Sequence, residues 1–337
     1  MSTESPLISI LMPVYNAGAY LEDCLHSILK QDATNWELIA INDFSTDHSK
    51  EILEAFAQRD TRIRYHDNDA KGIIPALRKA YQDSKGSLIT RMDADDLMPT
   101  QKLSQLRQLL LAHGPGHLAT GLVEYFSAEG LQDGYRRYAQ WLNELALEGR
   151  HYQEIYRECV IPSPCWMLYR ADLDRCGAFQ SDQYPEDYDL VFRFYQSGLK
   201  PVIVPGVMHL WRDHGLRSSR TMEVYAQQAY FKLKVPYFLE LDYKKERHLI
   251  LWGAGRKGKK VAQLFMEKEV AFDWICDNPA KIGKDIYGQI LKDVHFINQV
   301  EAPQIVIVVS NPEEQSAIRR QLLKLSMVEG KDYFFFV

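Results

Sequence analysis

The chain opens on Leu7-Ile8-Ser9-Ile10-Leu11-Met12, a nearly unbroken apolar run that stops at Pro13-Val14-Tyr15-Asn16. A short run that is apolar throughout and closed by a proline reads as a strand buried on both faces. Behind it, Tyr20, Leu21, Cys24, Leu25, Ile28 and Leu29 recur at three- and four-residue steps, the spacing of an amphipathic helix. The alternation repeats. Trp36 to Asn42 is a second strand, ended by Asp43 and the polar turn Phe44-Ser45-Thr46-Asp47, and Ser49 to Phe56 is a helix. Arg62 to His66 is a third strand and Ile73 to Tyr81 a third helix. Ser87-Leu88-Ile89-Thr90 then leads into Arg91-Met92-Asp93-Ala94-Asp95-Asp96. Strands alternating with helices in this way predict a parallel sheet covered on both faces. Ligands of such sheets bind beyond the carboxyl ends of the strands. Tyr15-Asn16, Asp43, Asp67-Asn68 and Asp93 to Asp95 all fall at such ends.

The pattern changes twice further on. Between 121 and 180, Tyr135-Arg136-Arg137-Tyr138, Trp141, Arg150-His151, Arg157 and Trp166 mix aromatic and basic groups. Aromatics stack on sugar faces and arginines bind carboxylates or phosphates, but Tyr138, Leu142 and Leu145 also fit the inner face of an ordinary amphipathic helix. Past Pro236 comes the charged joint Tyr243-Lys244-Lys245-Glu246-Arg247. Then His248 to Trp252 runs into Gly253-Ala254-Gly255-Arg256-Lys257-Gly258, a helix follows, and Phe272 to Cys276 ends at Asp277. Strand, G-x-G-x-x-G turn, helix and acid-terminated strand form a dinucleotide-binding fingerprint in which Gly253, Gly255 and Gly258 admit a pyrophosphate and Asp277 a ribose. The segment is only about half a full fold of that kind and shows no catalytic partner. Three readings stand: a structural or oligomerising module that could make the chain a homo-oligomer, a nucleotide or nucleotide-sugar sensor, and a redox domain using NAD. The expected domains are residues 1–222, a linking helical segment 223–247, and a small Rossmann-like domain 248–337.

Asp93, Asp95 and Asp96 crowd three carboxylates after a short strand. A cation relieves their repulsion, and hard oxygen ligands suit Mg²⁺ or Mn²⁺, which usually share their shell with substrate phosphates. An acidic turn capping the helix that starts near Pro99 explains the same residues more simply.

The order and spacing of several segments decide between these readings. Pro13-Val14-Tyr15-Asn16, Asn42-Asp43-Phe44-Ser45-Thr46-Asp47 and Asp93-Ala94-Asp95-Asp96 resemble a family 2 glycosyltransferase with the GT-A fold. Pro185-Glu186-Asp187-Tyr188-Asp189-Leu190 resembles the family's acidic catalytic segment. Trp211-Arg212-Asp213-His214 with Arg217-Ser218-Ser219 resembles its closing motif. The likeness spans roughly residues 6–220.

The resemblance implies an α/β GT-A domain that takes a nucleotide-sugar donor, a UDP-sugar first, together with Mn²⁺ or Mg²⁺. Pro13, Tyr15 and Asn16 would pack the base, Asp43 would accept its hydrogen bond, and Asp67 and Lys71 would lie near base and phosphate. Asp93 would hold the ribose, while Asp95 and His214 would face the metal. Arg212 and Arg217 would neutralise the leaving diphosphate. Asp187 would be the base that activates an acceptor hydroxyl, with Glu186 in support. Arg91 departs from relatives, where an apolar residue often precedes the acids. It must pair with Asp93 or Asp95, or reach the donor's sugar. The acceptor implied is a glycan or a lipid-linked glycan in surface polysaccharide assembly. The rivals are a nucleotide-sugar-binding regulator with an inactive site and a nucleotidyltransferase, although the glycine- and lysine-rich loop of the latter is missing after the first strand.

Composition narrows the setting. A hydrophobic content of 46% is enough for two ordinary cores, and a net charge of −5 gives no electrostatic reason to expect nucleic acid. Five cysteines without C-x-x-C spacing point to reduced thiols and a cytoplasmic setting. No apolar run approaches the ~18 residues of a membrane span. Tyr225, Tyr230, Phe231, Tyr237 and Phe238, interleaved with Lys232, Lys234, Lys244 and Lys245, suit peripheral contact at a membrane face. Pro236, Glu240 and Asp242 favour a helix packed between domains instead.

Overall fold

The computed structural model describes residues 5–127, 130–131, 133–215 and 227–337. The chain divides into two compact units, Met1–His151 with Ile161–Thr221, and Tyr152–Val160 with Met222–Val337. Nothing in the sequence of Tyr152–Val160 signals that it clusters with the second unit.

In the first unit β1 (Ile8–Val14), α1 (Leu21–Leu29), β2 (Trp36–Asn42), α2 (Ser49–Arg59), β3 (Ile63–Asp67), α3 (Ile73–Asp83) and β4 (Leu88–Arg91) alternate without interruption. Then follow α4 (Lys102–His113), β5 (His117–Phe126), α5 (Asp133–Leu147), β6 (Trp166–Tyr169), α6 (Arg170–Arg175), α7 (Glu186–Gln196) and β7 (Lys200–Arg212). The sheet order is β3-β2-β1-β4-β6-β5-β7. β2 is buried along its whole length, and α1 lays Leu21, Cys24, Leu25 and Ile28 onto the sheet, as their spacing requires. The order reverses between β1 and β4, which pair in parallel with Leu11 opposite Arg91. That reversal is the switch point where a doubly wound sheet opens a crevice.

One strand departs from the all-parallel expectation. β6 runs antiparallel to both β4 and β5. An antiparallel neighbour needs no crossover helix, so the chain that leaves β5 re-enters the sheet from the same end. The hydroxyls of Thr90 and Thr120 donate to the carbonyls of Trp166 and Cys165 at 2.6 and 2.5 Å and tie β6 between its neighbours.

The second unit holds α8 (Gln227–Leu241), β8 (Leu249–Trp252), α9 (Arg256–Glu267), β9 (Asp273–Cys276), the hairpin β10 (Asp285–Ile286) and β11 (Gln289–Ile290), β12 (Lys292–Asp293), β13 (Gln304–Ile307), α10 (Pro312–Lys324) and β14 (Tyr333–Phe335). Its main sheet, β12-β9-β8-β13-β14, is parallel throughout. Two aromatics of the expected linking segment, Phe231 and Phe238, are core residues here. Phe238 is fully buried, with ring centroids 5.5 Å from Tyr156, 5.2 Å from Phe334 and 5.5 Å from Phe336. Phe231 is buried too. α8 thus packs into the second unit through Phe231 and Phe238. Among the described residues no helix is long and apolar enough to cross a membrane. Residues 216–226, which include Arg217, Ser218, Ser219 and Tyr225, lie outside the described residues.

Candidate active site

The carboxyl ends of β1, β2 and β3 are laced together by short side chains. Asn16, held at φ 47°, accepts the Thr46 amide at 2.8 Å, and its own amide donates to the Ser45 hydroxyl at 3.0 Å. Asn is among the few residues that tolerate this left-handed geometry. Asp47 accepts the Gly18 amide at 2.8 Å, where a Cβ would come within 2.9 Å of its carboxylate. Tyr15 is half exposed, with the Lys71 ammonium 5.1 Å from its ring centre.

Asp43 is buried and shapes the next loop. Its carboxylate accepts the Asn68 amide at 2.7 Å and the Gly72 backbone amide at 2.9 Å. Gly72 sits at φ 131°, a conformation that favours glycine. Asp67 accepts from Asn42 at 2.8 Å and from Lys50 at 2.7 Å, so it braces β2 against α2.

The acidic centre forms around Arg91, which is 5% exposed. Its Nε donates to Asp93 at 2.9 Å and its Nη1 to Glu186 at 3.2 Å. One guanidinium therefore joins the end of β4 to the start of α7. Of the partners left open by the sequence it takes Asp93, and it adds Glu186, which was not foreseen. Asp187 follows Glu186 in the first turn of α7. Burial first, and the Glu186 carboxylate second, push the Asp187 carboxyl up to about 7, while Arg91 pulls the other way.

Asp95 and His214 meet across 119 residues, with Nε2 of the imidazole 2.8 Å from Oδ2 of the carboxylate. The His214 ring lies 4.4 Å from that of Tyr20, and its Nδ1 is buried without a hydrogen bond. This carboxylate oxygen and imidazole nitrogen, 2.8 Å apart, are two donors that a divalent ion could take in place of their mutual contact. Among the described residues no group of three or more His, Cys, Asp and Glu could hold a metal. Two protein donors suit an ion that completes its shell with phosphate oxygens.

Behind this pair runs a chain of buried polar groups. Asp96, fully buried, accepts the Arg212 amide at 2.8 Å and pairs with Nε2 of His209 at 2.9 Å. Nδ1 of His209 lies 3.2 Å from the Lys102 ammonium, which also donates to the Pro164 carbonyl. Burial holds the Lys102 ammonium below its ordinary value. Asp96 therefore fixes β7 to the acidic turn instead of capping α4, whose N-terminal position is Gln101. His209 and Lys102 were missed in the sequence, where the only signal was a histidine inside an apolar strand. Arg212 donates to the Asp95 carbonyl at 2.9 Å and to Asp23 at 3.1 Å, with its guanidinium 5.0 Å from the Tyr20 ring and 4.8 Å from that of Phe126.

Other candidates have structural explanations. Trp166 is 1% exposed and packs edge-on to Phe194, so it cannot stack on a sugar. Arg157 pairs with Glu154 inside the second unit. α5 buries Ala139, Leu142 and Leu145. Cys24 lies under the acidic turn, and burial, then Asp96, Asp95 and Asp93, raise its thiol well above the ordinary value. It stays protonated and donates weakly to the Asp93 carbonyl at 3.5 Å.

A doubly wound sheet with this acidic switch point, continued by an antiparallel strand and a long final strand, defines a GT-A-type transferase. The chain belongs to glycosyl transferase family 2, whose family model matches residues 9–177, and it is a glycosyltransferase. It is 28% identical to glycosyltransferase GlyG of Streptococcus pneumoniae serotype 4 over 64% of this chain and 74% of GlyG. TuaG of Bacillus subtilis, whose provisional name places it in teichuronic acid biosynthesis, is 32% identical over 36% of this chain and 48% of its own length. Among solved structures the fold is similar to S. aureus TarS 1-349 in complex with UDP-GlcNAc, with a TM-score of 0.52 at 16% identity, over 70% of this chain and 68% of that one. It is also similar to the mannosyltransferase PcManGT from Pyrobaculum calidifontis in complex with GDP-Man and Mn²⁺, with a TM-score of 0.51 at 18% identity, over 72% of this chain and 66% of that one.

Proposed function

We propose that the chain transfers a sugar, with inversion at the anomeric carbon, from a UDP-sugar to a hydroxyl of a glycan or lipid-linked glycan during surface polysaccharide assembly. The observation that carries this reading is Asp187, a partly buried carboxyl held near 7 beside the Arg91 bridge to Asp93. A base with a pKa near the working pH is the one that best removes an acceptor proton.

The acceptor O–H proton passes to the Asp187 carboxylate as the oxygen bonds to the anomeric carbon. The bond from that carbon to the phosphate oxygen breaks, and UDP leaves with the electron pair. Arg91 holds Asp93 and Glu186 in place, so the ribose-binding acid and the base keep one spacing. Asp95 and His214 would hold Mn²⁺ or Mg²⁺, which when bound offsets charge on the diphosphate. Arg212 adds positive charge beside Asp95 from a position fixed by Asp23, Tyr20 and Phe126. Tyr15, half exposed, would pack the base, and Lys71, whose ammonium lies 5.1 Å from its ring centre, would reach a phosphate. UDP-GlcNAc bound to TarS and a name in teichuronic acid biosynthesis support the donor and the pathway class.

Thermal unfolding with nucleotides and nucleotide-sugars, each with and without Mn²⁺, tests the reading. A ligand at roughly a hundred times its Kd stabilises the native state by about 2.7 kcal/mol. UDP and one UDP-sugar should raise Tm further with metal than without it, and Asp95→Ala and His214→Ala should each remove that metal-dependent gain. A shift of wild-type size in Asp95→Ala would sink the metal assignment. A shift with GDP alone would overturn the choice of base.

A further inference from the structure

In the second unit, β8 runs into Gly253-Ala254-Gly255-Arg256-Lys257-Gly258, and α9 begins at Arg256. Two of the glycines are explained by the protein itself. Gly253 has φ 120°, and a Cβ there would lie 2.8 Å from the Val308 carbonyl oxygen. A Cβ on Gly258 would come within 1.9 Å of the Gly253 carbonyl oxygen. Gly255 has no such reason, for its φ of −80° suits any residue and a Cβ would meet no protein atom within 4 Å. The missing side chain leaves the backbone open to something outside the protein.

The charges at the turn point the same way. The first turn of α9 contains no acid, whereas Arg256, Lys257, Lys259 and Lys260 crowd its start. Unpaired N–H groups already make a helix N-terminus positive, and Gly255 supplies no side-chain cap. None of the four cations pairs with an acid among the described residues. A fifth, Lys281, donates to the Ala254 carbonyl at 3.0 Å and joins the group. Burial lowers the Lys257 ammonium, Glu158 opposes that shift, and Arg256 adds to it. Charges arranged against their own helix are tolerated where an anionic ligand offsets them.

Cavities flank both sides of the turn. One of about 680 Å³ gathers the four α9 cations and Lys281 beside Phe231 and Tyr287. The other, about 540 Å³, opens between the ends of β8, β9 and β13 and is edged by Asp277, Asn278, Ser310 and Glu314. The sheet order reverses between β8 and β13, so the turn sits at this unit's own switch point. One oxygen of Asp277 accepts the Trp252 indole N–H at 2.6 Å, which fixes the carboxylate at the cavity edge.

We propose that this turn is a second ligand site, built for a pyrophosphate joined to ribose, as in a nucleoside diphosphate, its sugar ester or a dinucleotide. The pyrophosphate lies over Gly255 against the first N–H groups of α9, between Arg256, Lys257 and Lys281. The ribose hydroxyls meet Asp277, and Phe231 and Tyr287 offer apolar surface to the group on the other side. No metal is needed, because the side chains supply the neutralising charge.

The test is calorimetric titration of the full chain in EDTA with pyrophosphate, inorganic phosphate, UDP, UDP-glucose, ADP and NAD. At least one nucleotide should bind at least tenfold more tightly than inorganic phosphate. Gly255→Val, whose new side chain enters open space, and the pair Arg256→Glu with Lys257→Glu should each weaken that binding at least tenfold. The glutamates should also raise the Tm of the unliganded chain, because an acid then replaces a cation at a helix N-terminus. Tightest binding of UDP-glucose or UDP identifies a sensor of nucleotide-sugar, and tightest binding of NAD or ADP an adenine nucleotide site. The proposal fails if no nucleotide binds, if phosphate binds as tightly, or if both variants bind like wild type.

Discussion

Asp187→Asn should nearly abolish sugar transfer while making the protein more stable above neutral pH. The folded chain holds the Asp187 carboxyl at about 7, against an ordinary value of 3.8. Between those two values the folded state keeps a proton that the unfolded state has released. Stability from this group is therefore complete below the lower value and is lost as pH rises through the upper one. One pKa unit corresponds to about 1.4 kcal/mol, so the cost above neutrality has an upper bound on the order of 4 kcal/mol. Asparagine has the shape but not the charge and removes that cost. Without a base, transfer should fall by roughly 10²–10⁴-fold while donor affinity holds. Wild-type activity should rise with pH through about 7 and level off, whereas the variant should be low and flat. Initial rates and urea unfolding across neutral pH read both effects, and equal transfer by the two proteins would remove Asp187 from the chemistry.

Arg91→Met is the second large effect. Arg91 is buried between Asp93 and Glu186, and taking one member from a buried ionic cluster typically costs about 3–5 kcal/mol. Arg91 also opposes the rise at Asp187. Its loss should move the pH–rate midpoint to higher pH as well as lowering the urea midpoint. Arg91→Lys should recover stability only in part, because one ammonium cannot reproduce a planar fork aimed at two carboxylates. Unchanged stability together with an unchanged pH–rate midpoint would mean that Arg91 does not bridge the two acids.

Residues near each other in sequence were legible before the fold was. Apart from Ser9, Glu37 and Asn42, β1 and β2 are apolar until just before Asn16 and Asp43, so the edge that carries the site could be read from the alternation itself. Contacts between distant segments could not. Arg91 and Glu186 lie 95 residues apart, and Lys102 and His209 lie 107 apart. Nothing in the local pattern of either residue names its partner. Asp43 and Asp67 looked like free ligand groups because a short acid at a strand end is ambiguous. The structure engages Asp43 with Asn68 and Gly72, and Asp67 with Asn42 and Lys50. The direction of β6 was hidden because so short an apolar and aromatic strand has the same text whichever way it runs. The partners of Phe238 in α8 were hidden as well, because Tyr156, Phe334 and Phe336 come from distant parts of the chain.

The meeting of Asp95 with His214 has a consequence during synthesis. The acidic turn leaves the ribosome early, but its imidazole partner follows 119 residues later, at the end of β7. Until β7 pairs with β5 and His209 docks on Asp96, a nascent chain has the carboxylates without the residues that complete them. With the roles proposed for Asp95 and His214, a chain that stops short of β7 therefore lacks the groups that would hold an activated sugar.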